Sequence, residues 1–264
     1  MSGGAAVVET RAARYTDCDD RLVTDDEIRL MCEGWVRGEH FPIQEDDENR
    51  LGRLIATDPD QWWRVLNGML DDLTDSNEGS NLAIVLAPVI AAKGHDWEVD
   101  LVSQTRGRRN AIAVVVEALD LGYSDRTSSE NLMRAYQLLG RDLVMTTWLE
   151  YKRSESPWDS WPYTLIEEVI SQDPDEAWLV ITAMIESVRP EDIDVMGAGF
   201  LEDLLGGCSG DRFIDRIEEQ AQASSRFREA LGHLWIDGKV TEATLLRIER
   251  ASGVPLARRR EDST

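Results

Sequence analysis

The stretch that decides the fold is Asp58-Pro59-Asp60-Gln61-Trp62-Trp63, because it returns as Asp173-Pro174-Asp175-Glu176-Ala177-Trp178. The shift of 115 residues holds the sequence that follows in register without a gap, as far as Leu119 and its counterpart Leu234. Apolar positions and helix starts recur, whereas no set of catalytic residues does. The repeat therefore predicts an architecture much better than it predicts an activity.

Both copies of this stretch carry the signature of a helix start. Asp58 and Asp173 can accept hydrogen bonds from the free amides of a first turn, and the proline after each aspartate needs no amide hydrogen there. Apolar residues then follow at helical spacing for about four turns. Thr24-Asp25-Asp26-Glu27 has the spacing of a capping box and predicts a third helix start.

Other segments are expected to be helical with weaker signals: 43–56, 81–92, 96–105, 108–120, 128–152, 158–171, 191–205, 211–222, 224–236 and 241–251. The segment Ala111 to Val116 is rich in β-branched residues, but its repeat counterpart, Arg226 to Leu231, has a helical pattern. The repeat therefore favours helix for both. Four tryptophans fall at apolar positions of these helices and are expected in the core: Trp63, Trp148, Trp178 and Trp235.

The sequence predicts an all-α protein in which two tandem multi-helix modules stack as a helical-repeat, solenoid-like array. We expect a flexible N-terminal arm at 1–23, helical module 1 at 24–122 and helical module 2 at 123–236. A C-terminal helix and a basic tail are expected at 237–264. The tail contains Arg258-Arg259-Arg260 and can bind acidic surfaces, including the protein's own.

The charge balance restricts the class of partner. The 264 residues include 51 Asp and Glu against 28 Lys and Arg, a formal net charge of −23. A field of this sign repels nucleic-acid phosphates and anionic membrane surfaces and attracts basic proteins. We therefore expect a basic protein partner, such as a toxin, a nuclease or a complex subunit, and no direct contact with nucleic acid or a membrane.

The sequence favours a cytoplasmic protein. Its three cysteines contain no CxxC pair, which fits a reducing compartment better than a disulfide framework. The first residues lack the charged and apolar regions of a secretory signal. The longest apolar stretch, Leu82 to Ala92, falls short of the roughly 20 residues that span a bilayer.

Motifs of catalysis are missing from the sequence. It has no GxxxxGK[ST] phosphate loop, no GxGxxG after a strand, no HExxH, no GxSxG and no EF-hand spacing. We therefore predict no catalytic residues, no metal site and no cofactor. Two repeated pairs, Asp96 with Asp100 and Asp211 with Asp215, have the spacing to share a divalent cation. Helix capping and pairing with an arginine of a neighbouring helix are favoured for them over metal binding.

Three groups of residues are candidates for partner binding. The first is the acidic block Glu45-Asp46-Asp47-Glu48, for which a solvated helix face is the alternative. The second is the aromatic pair Trp158 and Trp161, which crowds one helix start and can instead pack internally. The third is the acidic pair Glu202 and Asp203, which the first copy of the repeat lacks.

The phrase Gly197-Ala198-Gly199-Phe200-Leu201-Glu202-Asp203-Leu204-Leu205, with Trp161-Pro162 and Gly210-Asp211-Arg212-Phe213, resembles a small bacterial family catalogued as a domain of unknown function. The resemblance covers the second module, about residues 141–236. The first module has Leu82 to Pro88 in place of this phrase, without its glycines, and is interpreted as a diverged copy. The resemblance implies an all-helical bacterial protein and no mechanism.

These observations favour a non-enzymatic, acidic helical binding protein, most concretely an immunity-type or inhibitor-type protein or an adaptor. One alternative is an enzyme or a small-ligand or metal-binding protein with a carboxylate site between the two modules, formed by residues such as Glu202, Asp203, Asp211 and Asp215. Another alternative is a scaffold subunit of a bacterial defence or biosynthetic complex.

Overall fold

The computed structural model describes residues 23–37, 45–74, 76–121, 127–154, 160–207, 210–236 and 240–258. Helices dominate these residues, and the predicted all-helical fold is confirmed. The chain divides into two compact units, Met1–Asn131 and Leu132–Thr264, which are described separately. The predicted N-terminal arm lies, up to residue 22, outside the described residues. The predicted module boundaries and the stacking of the modules stay predictions.

Unit 1 is built around one long apolar helix. This helix, α4, contacts α1, α2, α3 and α6, and six of its buried side chains form the centre of the core: Leu82, Ala83, Val85, Leu86, Val89 and Ile90. A short 3₁₀ turn, His95–Trp97, follows it. The helices of the unit are α1 (Asp25–Val36), α2 (Glu45–Thr57), α3 (Pro59–Met69), α4 (Ser76–Lys93), α5 (Glu98–Thr105) and α6 (Arg109–Leu121).

Unit 2 contains shorter helices and one π-helical turn, Met196–Leu201. Its 3₁₀ turns are Pro190–Asp192 and Gly210–Arg212, and the two-residue strands β1 (Trp235–Ile236) and β2 (Ala257–Arg258) pair in parallel. The helices are α7 (Ser128–Leu139), α8 (Arg141–Ser154), α9 (Trp161–Gln172), α10 (Pro174–Ser187), α11 (Ile193–Val195), α12 (Glu202–Gly207), α13 (Ile214–Ala223), α14 (Ser225–Leu231) and α15 (Glu242–Ser252). The boundary between the two units falls inside α7.

The predicted helix caps are confirmed. The Asp58 carboxylate accepts a hydrogen bond from the Gln61 amide at 2.9 Å, and the Asp173 carboxylate accepts one from the Glu176 amide at 3.1 Å. The capping box at the start of α1 also forms, with the Thr24 amide donating to Glu27 at 2.9 Å. Each bond satisfies a backbone amide that has no partner within its own helix.

Removing either aspartate cap is expected to have the same small effect. Asp58→Ala and Asp173→Ala should each lower the free energy of unfolding by about 1 kcal/mol, because each leaves one first-turn amide without its acceptor. Urea denaturation of the two variants beside the wild type measures both losses. A loss at one position with none at the other would show that the two caps are not equivalent.

Several elements recur at the shift of 115 residues: α3 returns as α10, the 3₁₀ turn His95–Trp97 returns as Gly210–Arg212, and α5 returns as α13. In both units the repeated tryptophan contacts a second aromatic ring, although the two partner rings are not counterparts at this shift and the ring geometries differ. Trp63 meets Trp97 edge-on with ring centroids 5.0 Å apart, and Trp178 stacks on Phe213 at 5.6 Å. The superposition of residues 51–119 on residues 166–234 stays a prediction.

Each unit also pairs the third residue of the repeated Asp-Pro-Asp motif with a cation that lies over an aromatic ring. In unit 1, Lys93 binds Asp60 and its Nζ lies 4.7 Å from the centre of the Trp97 ring. In unit 2, Arg216 binds Asp175 at 2.7 Å and lies 4.9 Å from the centre of Trp178. The two contacts are alike in kind but not in position, because Lys93 and Arg216 are not counterparts at the shift of 115 residues. In unit 1 the covered ring is the half-buried Trp97, whereas in unit 2 it is the buried Trp178.

Three predicted helices differ from the structure, and one of them, 191–205, is described with the functional site. The segment 128–152 is two helices, because Gly140 adopts a left-handed conformation with φ of 81° between them. The predicted helix 224–236 ends at Leu231, and Trp235 lies in β1 with 62% of its surface exposed. The expectation that Trp235 packs in the core was therefore wrong. Helical spacing would place Trp235 on the buried face only if the helix continued to that residue. The other three tryptophans of that set are buried.

Candidate functional site

The second unit departs from the first at the π-helical turn Met196–Leu201. The counterpart of this turn in unit 1 lies inside the unbroken helix α4. Gly197 packs against α14 so closely that a Cβ atom there would overlap the Ala230 carbonyl and lie 2.8 Å from the Cβ of His233. Gly199 has non-helical backbone angles, with φ of −127° and ψ of −106°. The predicted continuous helix over 191–205 is therefore broken by a wide turn, a feature that is frequent at functional sites.

An open pocket of about 310 Å³ lies beside this turn. The buried Phe200 is one of its lining residues and contacts the buried ring of Trp148, with ring centroids 5.4 Å apart. The Tyr163 ring, 43% exposed, lies 5.2 Å from Phe200. The remaining lining residues are Asp194, Val195, Ala198 and Gly199. Exposed apolar and aromatic groups thus surround a depression whose position is fixed by the core.

Carboxylates act on the tyrosine of this pocket. Burial raises the pKa of Tyr163, and the negative charge of Glu167, a hydrogen bond to Glu167 and the charge of Asp203 raise it further. Asp194 lines the pocket itself, and its Oδ1 accepts a hydrogen bond from the Val195 amide at 2.8 Å. We call the pocket lining together with Glu167 and Asp203 the acidic pocket.

The predicted acidic pair lies beside this site. Asp203 is exposed and lies close enough to Tyr163 to affect its pKa. Glu202 is half-buried, and its Oε2 accepts a hydrogen bond from the Trp235 backbone amide at 3.1 Å. Glu202 therefore helps to hold β1 in place. Both residues belong to α12, which packs against α9.

The predicted aromatic and N-terminal acidic groups are described only in part. Trp161 is half-buried and is the first residue of α9, two positions before Tyr163. Trp158 lies outside the described residues. The block Glu45-Asp46-Asp47-Glu48 opens α2 in unit 1, but its side chains are not among the described ones. A role of these residues in partner binding stays a prediction.

The second aspartate pair is held by internal bonds. The expected pairing with an arginine of a neighbouring helix is found at Asp215, whereas Asp211 binds threonine hydroxyl groups and not the helix amides that it was expected to cap. Asp211 accepts hydrogen bonds from the hydroxyl groups of Thr241, at 3.1 Å, and Thr244. Asp215 accepts a hydrogen bond from Arg247 at 2.6 Å, and the same guanidinium binds Glu218 at 2.7 Å. Arg247 thereby lowers the pKa of Glu218. These contacts fasten α15 to α13 and to the 3₁₀ turn before α13.

Among the residues that the structure describes, no group of three or more His, Cys, Asp and Glu side chains is arranged to hold a metal ion. Within the same residues, every helix is too short or too polar to cross a membrane.

Sequence reasoning did not select four of the pocket residues: Tyr163, Asp194, Val195 and Phe200. Tyr163 and Asp194 lie far apart in the chain and meet only because α9 packs against the π-helical turn. The available signal was the pair Gly197 and Gly199 inside a helical pattern, which indicates an interruption of the helix.

The pocket and the turn lie within the part of the chain that a known family covers. Residues 150–254 match the model of a family of unknown function (DUF6869). The resemblance of the second module to a family of unknown function is thereby confirmed. The bacterial origin and the interpretation of module 1 as a diverged copy stay predictions. No curated protein and no solved structure matches the chain.

Proposed function

We propose that the protein is an acidic helical binding protein that engages a basic protein partner through the acidic pocket of unit 2, as an immunity-type or inhibitor-type protein or an adaptor does. One observation carries this proposal. The exposed ring of Tyr163 and the carboxylate of Asp194 line the pocket, and the carboxylates of Glu167 and Asp203 act electrostatically on the same tyrosine. Such a combination attracts a positively charged surface and gives it an aromatic anchor.

The whole-chain charge supports the same class of partner. A net charge of −23 accelerates the approach of a basic protein and repels an acidic one. Binding free energy in protein interfaces comes mainly from a few anchors in well-packed pockets rather than from rim charges. In this proposal the overall charge therefore steers the partner, while the acidic pocket supplies the anchor.

We place this activity in the cytoplasm, in keeping with the sparse cysteines. Cys32 is a buried free thiol, and its burial raises the pKa of the thiol well above its usual range. A thiol in this state is protonated and unreactive.

The proposal is tested with two charge-reversal variants of equal net charge. Asp194→Lys with Asp203→Lys changes the acidic pocket, and Asp96→Lys with Asp100→Lys changes two exposed aspartates of unit 1. Each variant and the wild type are immobilised, exposed to a lysate of the source cells, and the retained proteins are quantified by mass spectrometry.

We expect proteins of positive net charge to be retained by the wild type and by the unit 1 variant and to be lost from the pocket variant. If both variants lost these proteins equally, general electrostatic attraction would explain the retention, and the pocket would be contradicted as the binding site. Retention of mainly acidic or neutral proteins would contradict the basic partner. Circular dichroism establishes that both variants are folded.

A further inference from the structure

We propose that the acidic pocket accepts one arginine side chain of the partner, with its guanidinium against the Tyr163 ring and its N–H groups directed at the surrounding carboxylates. This inference rests on the proposed function, since it names the group of the basic partner that occupies the site.

The size of the pocket fits a single side chain. Its volume of about 310 Å³ lies at the lower end of the range for ligand sites, which bury drug-sized molecules. One of its lining residues is the buried Phe200, whose ring is held by the contact with Trp148. A long side chain can lay its apolar stem against Val195 and Phe200 while its charged end stays near the rim.

The Tyr163 ring offers the surface on which a flat cation stacks. Cations bind favourably within about 6 Å of an aromatic ring centre, and guanidinium groups do so more often than ammonium groups. The Tyr163 ring packs on the buried Phe200 with ring centroids 5.2 Å apart, and 43% of the tyrosine stays exposed. The ring is thus ordered before a partner arrives, which lowers the entropy lost on binding.

Unit 2 already contains an arginine that lies over an aromatic ring and binds a carboxylate. Arg216 lies 4.9 Å from the centre of the Trp178 ring and binds the Asp175 carboxylate at 2.7 Å. The acidic pocket presents the same two elements, a ring and carboxylates. A partner's arginine would complete the same combination.

The chemistry favours arginine over lysine. A guanidinium group stacks through its face and still donates several hydrogen bonds in its plane, which suits carboxylates placed around a ring. An ammonium group is compact and strongly hydrated. The contacts that an open pocket offers compensate less well for the free energy of removing its water. A phosphate or carboxylate ligand is disfavoured, because Asp194, Glu167 and Asp203 would repel it.

Two fluorescently labelled peptides test the inference, hexa-arginine and hexa-lysine, titrated at low ionic strength and followed by fluorescence anisotropy. The proteins are the wild type, Tyr163→Leu, Asp194→Asn with Asp203→Asn, and the matched control Tyr151→Leu, which alters a half-buried tyrosine of α8. Thermal melting of each variant shows that it is folded at the temperature of the titration.

We expect hexa-arginine to bind the wild type about fivefold or more tightly than hexa-lysine, the size of a single cation–π contact. Tyr163→Leu should abolish this preference, and Tyr151→Leu should retain it. Asp194→Asn with Asp203→Asn should weaken the binding of both peptides. Equal binding of the two peptides, unaltered by Tyr163→Leu but weakened by the double asparagine variant, would overturn the arginine site and leave the proposed function standing. A wild type that binds neither peptide would overturn both.

Discussion

Trp178→Ala is expected to lower the free energy of unfolding by about 3–5 kcal/mol, the range for removing a large buried aromatic side chain. The indole is only 6% exposed. It stacks on Phe213 at 5.6 Å, meets Phe227 edge-on at 5.5 Å and lies under the guanidinium of Arg216. The substitution would leave a cavity that these rings cannot close, and urea denaturation measures the loss.

The matched control for this prediction is Trp235→Ala. The sequence placed both tryptophans in the core, but the structure exposes 62% of Trp235 and places it in β1. Its replacement should change the free energy of unfolding by no more than about 0.5 kcal/mol, as surface substitutions do. A large loss at Trp235, or none at Trp178, would contradict the packing of unit 2 described here.

Gly197→Ala is expected to be destabilising by about 3 kcal/mol or more, beyond the usual cost of overpacking a core. The added methyl group would overlap the carbonyl oxygen of Ala230, a backbone atom of α14 that cannot rotate away. Either α14 or the π-helical turn must therefore shift. Denaturation by urea measures the loss, and the Tyr163 pocket should be disturbed together with the turn.

The matched control is the same substitution in an open helical position. Gly68 is exposed in α3, and no atom lies within 4 Å of the position that a Cβ would occupy. Gly68→Ala should therefore increase stability by up to about 1 kcal/mol, because alanine has the higher helix propensity. The same chemical change is thus expected to act with opposite sign at the two sites. If Gly197→Ala also proved neutral or stabilising, the close approach of the turn to α14 would be contradicted.

Much of the scaffold could be predicted from the sequence because its signals are local. The caps at Asp58 and Asp173 are set by residues within one turn, and the repeat resolved the β-prone run Ala111 to Val116, which lies in α6. The break at Gly140 and the end of α14 were missed, because apolar periodicity shows which face is buried and not where a helix stops.

The candidate site could be predicted only in part. Glu202 and Asp203 were selected from the sequence, and the charge of Asp203 raises the pKa of Tyr163, which lines the pocket. A role of the pair in binding stays a prediction. Tyr163 and Asp194 were not selected, since neither belongs to a motif and their proximity arises from tertiary packing. The π-helical turn requires the close approach of Gly197 to α14, and a single sequence does not show that contact.

The central claim is that binding resides in the π-helical turn and acidic pocket of unit 2 and not in the helical scaffold that both units share. Amide hydrogen exchange of the full chain, with and without the basic partner recovered by capture, tests it directly. We predict slower exchange in residues 160–167 and 193–203 on binding and unchanged exchange in residues 78–88, the counterpart in unit 1. Protection confined to residues 78–88, or equal in the two segments, would contradict the claim.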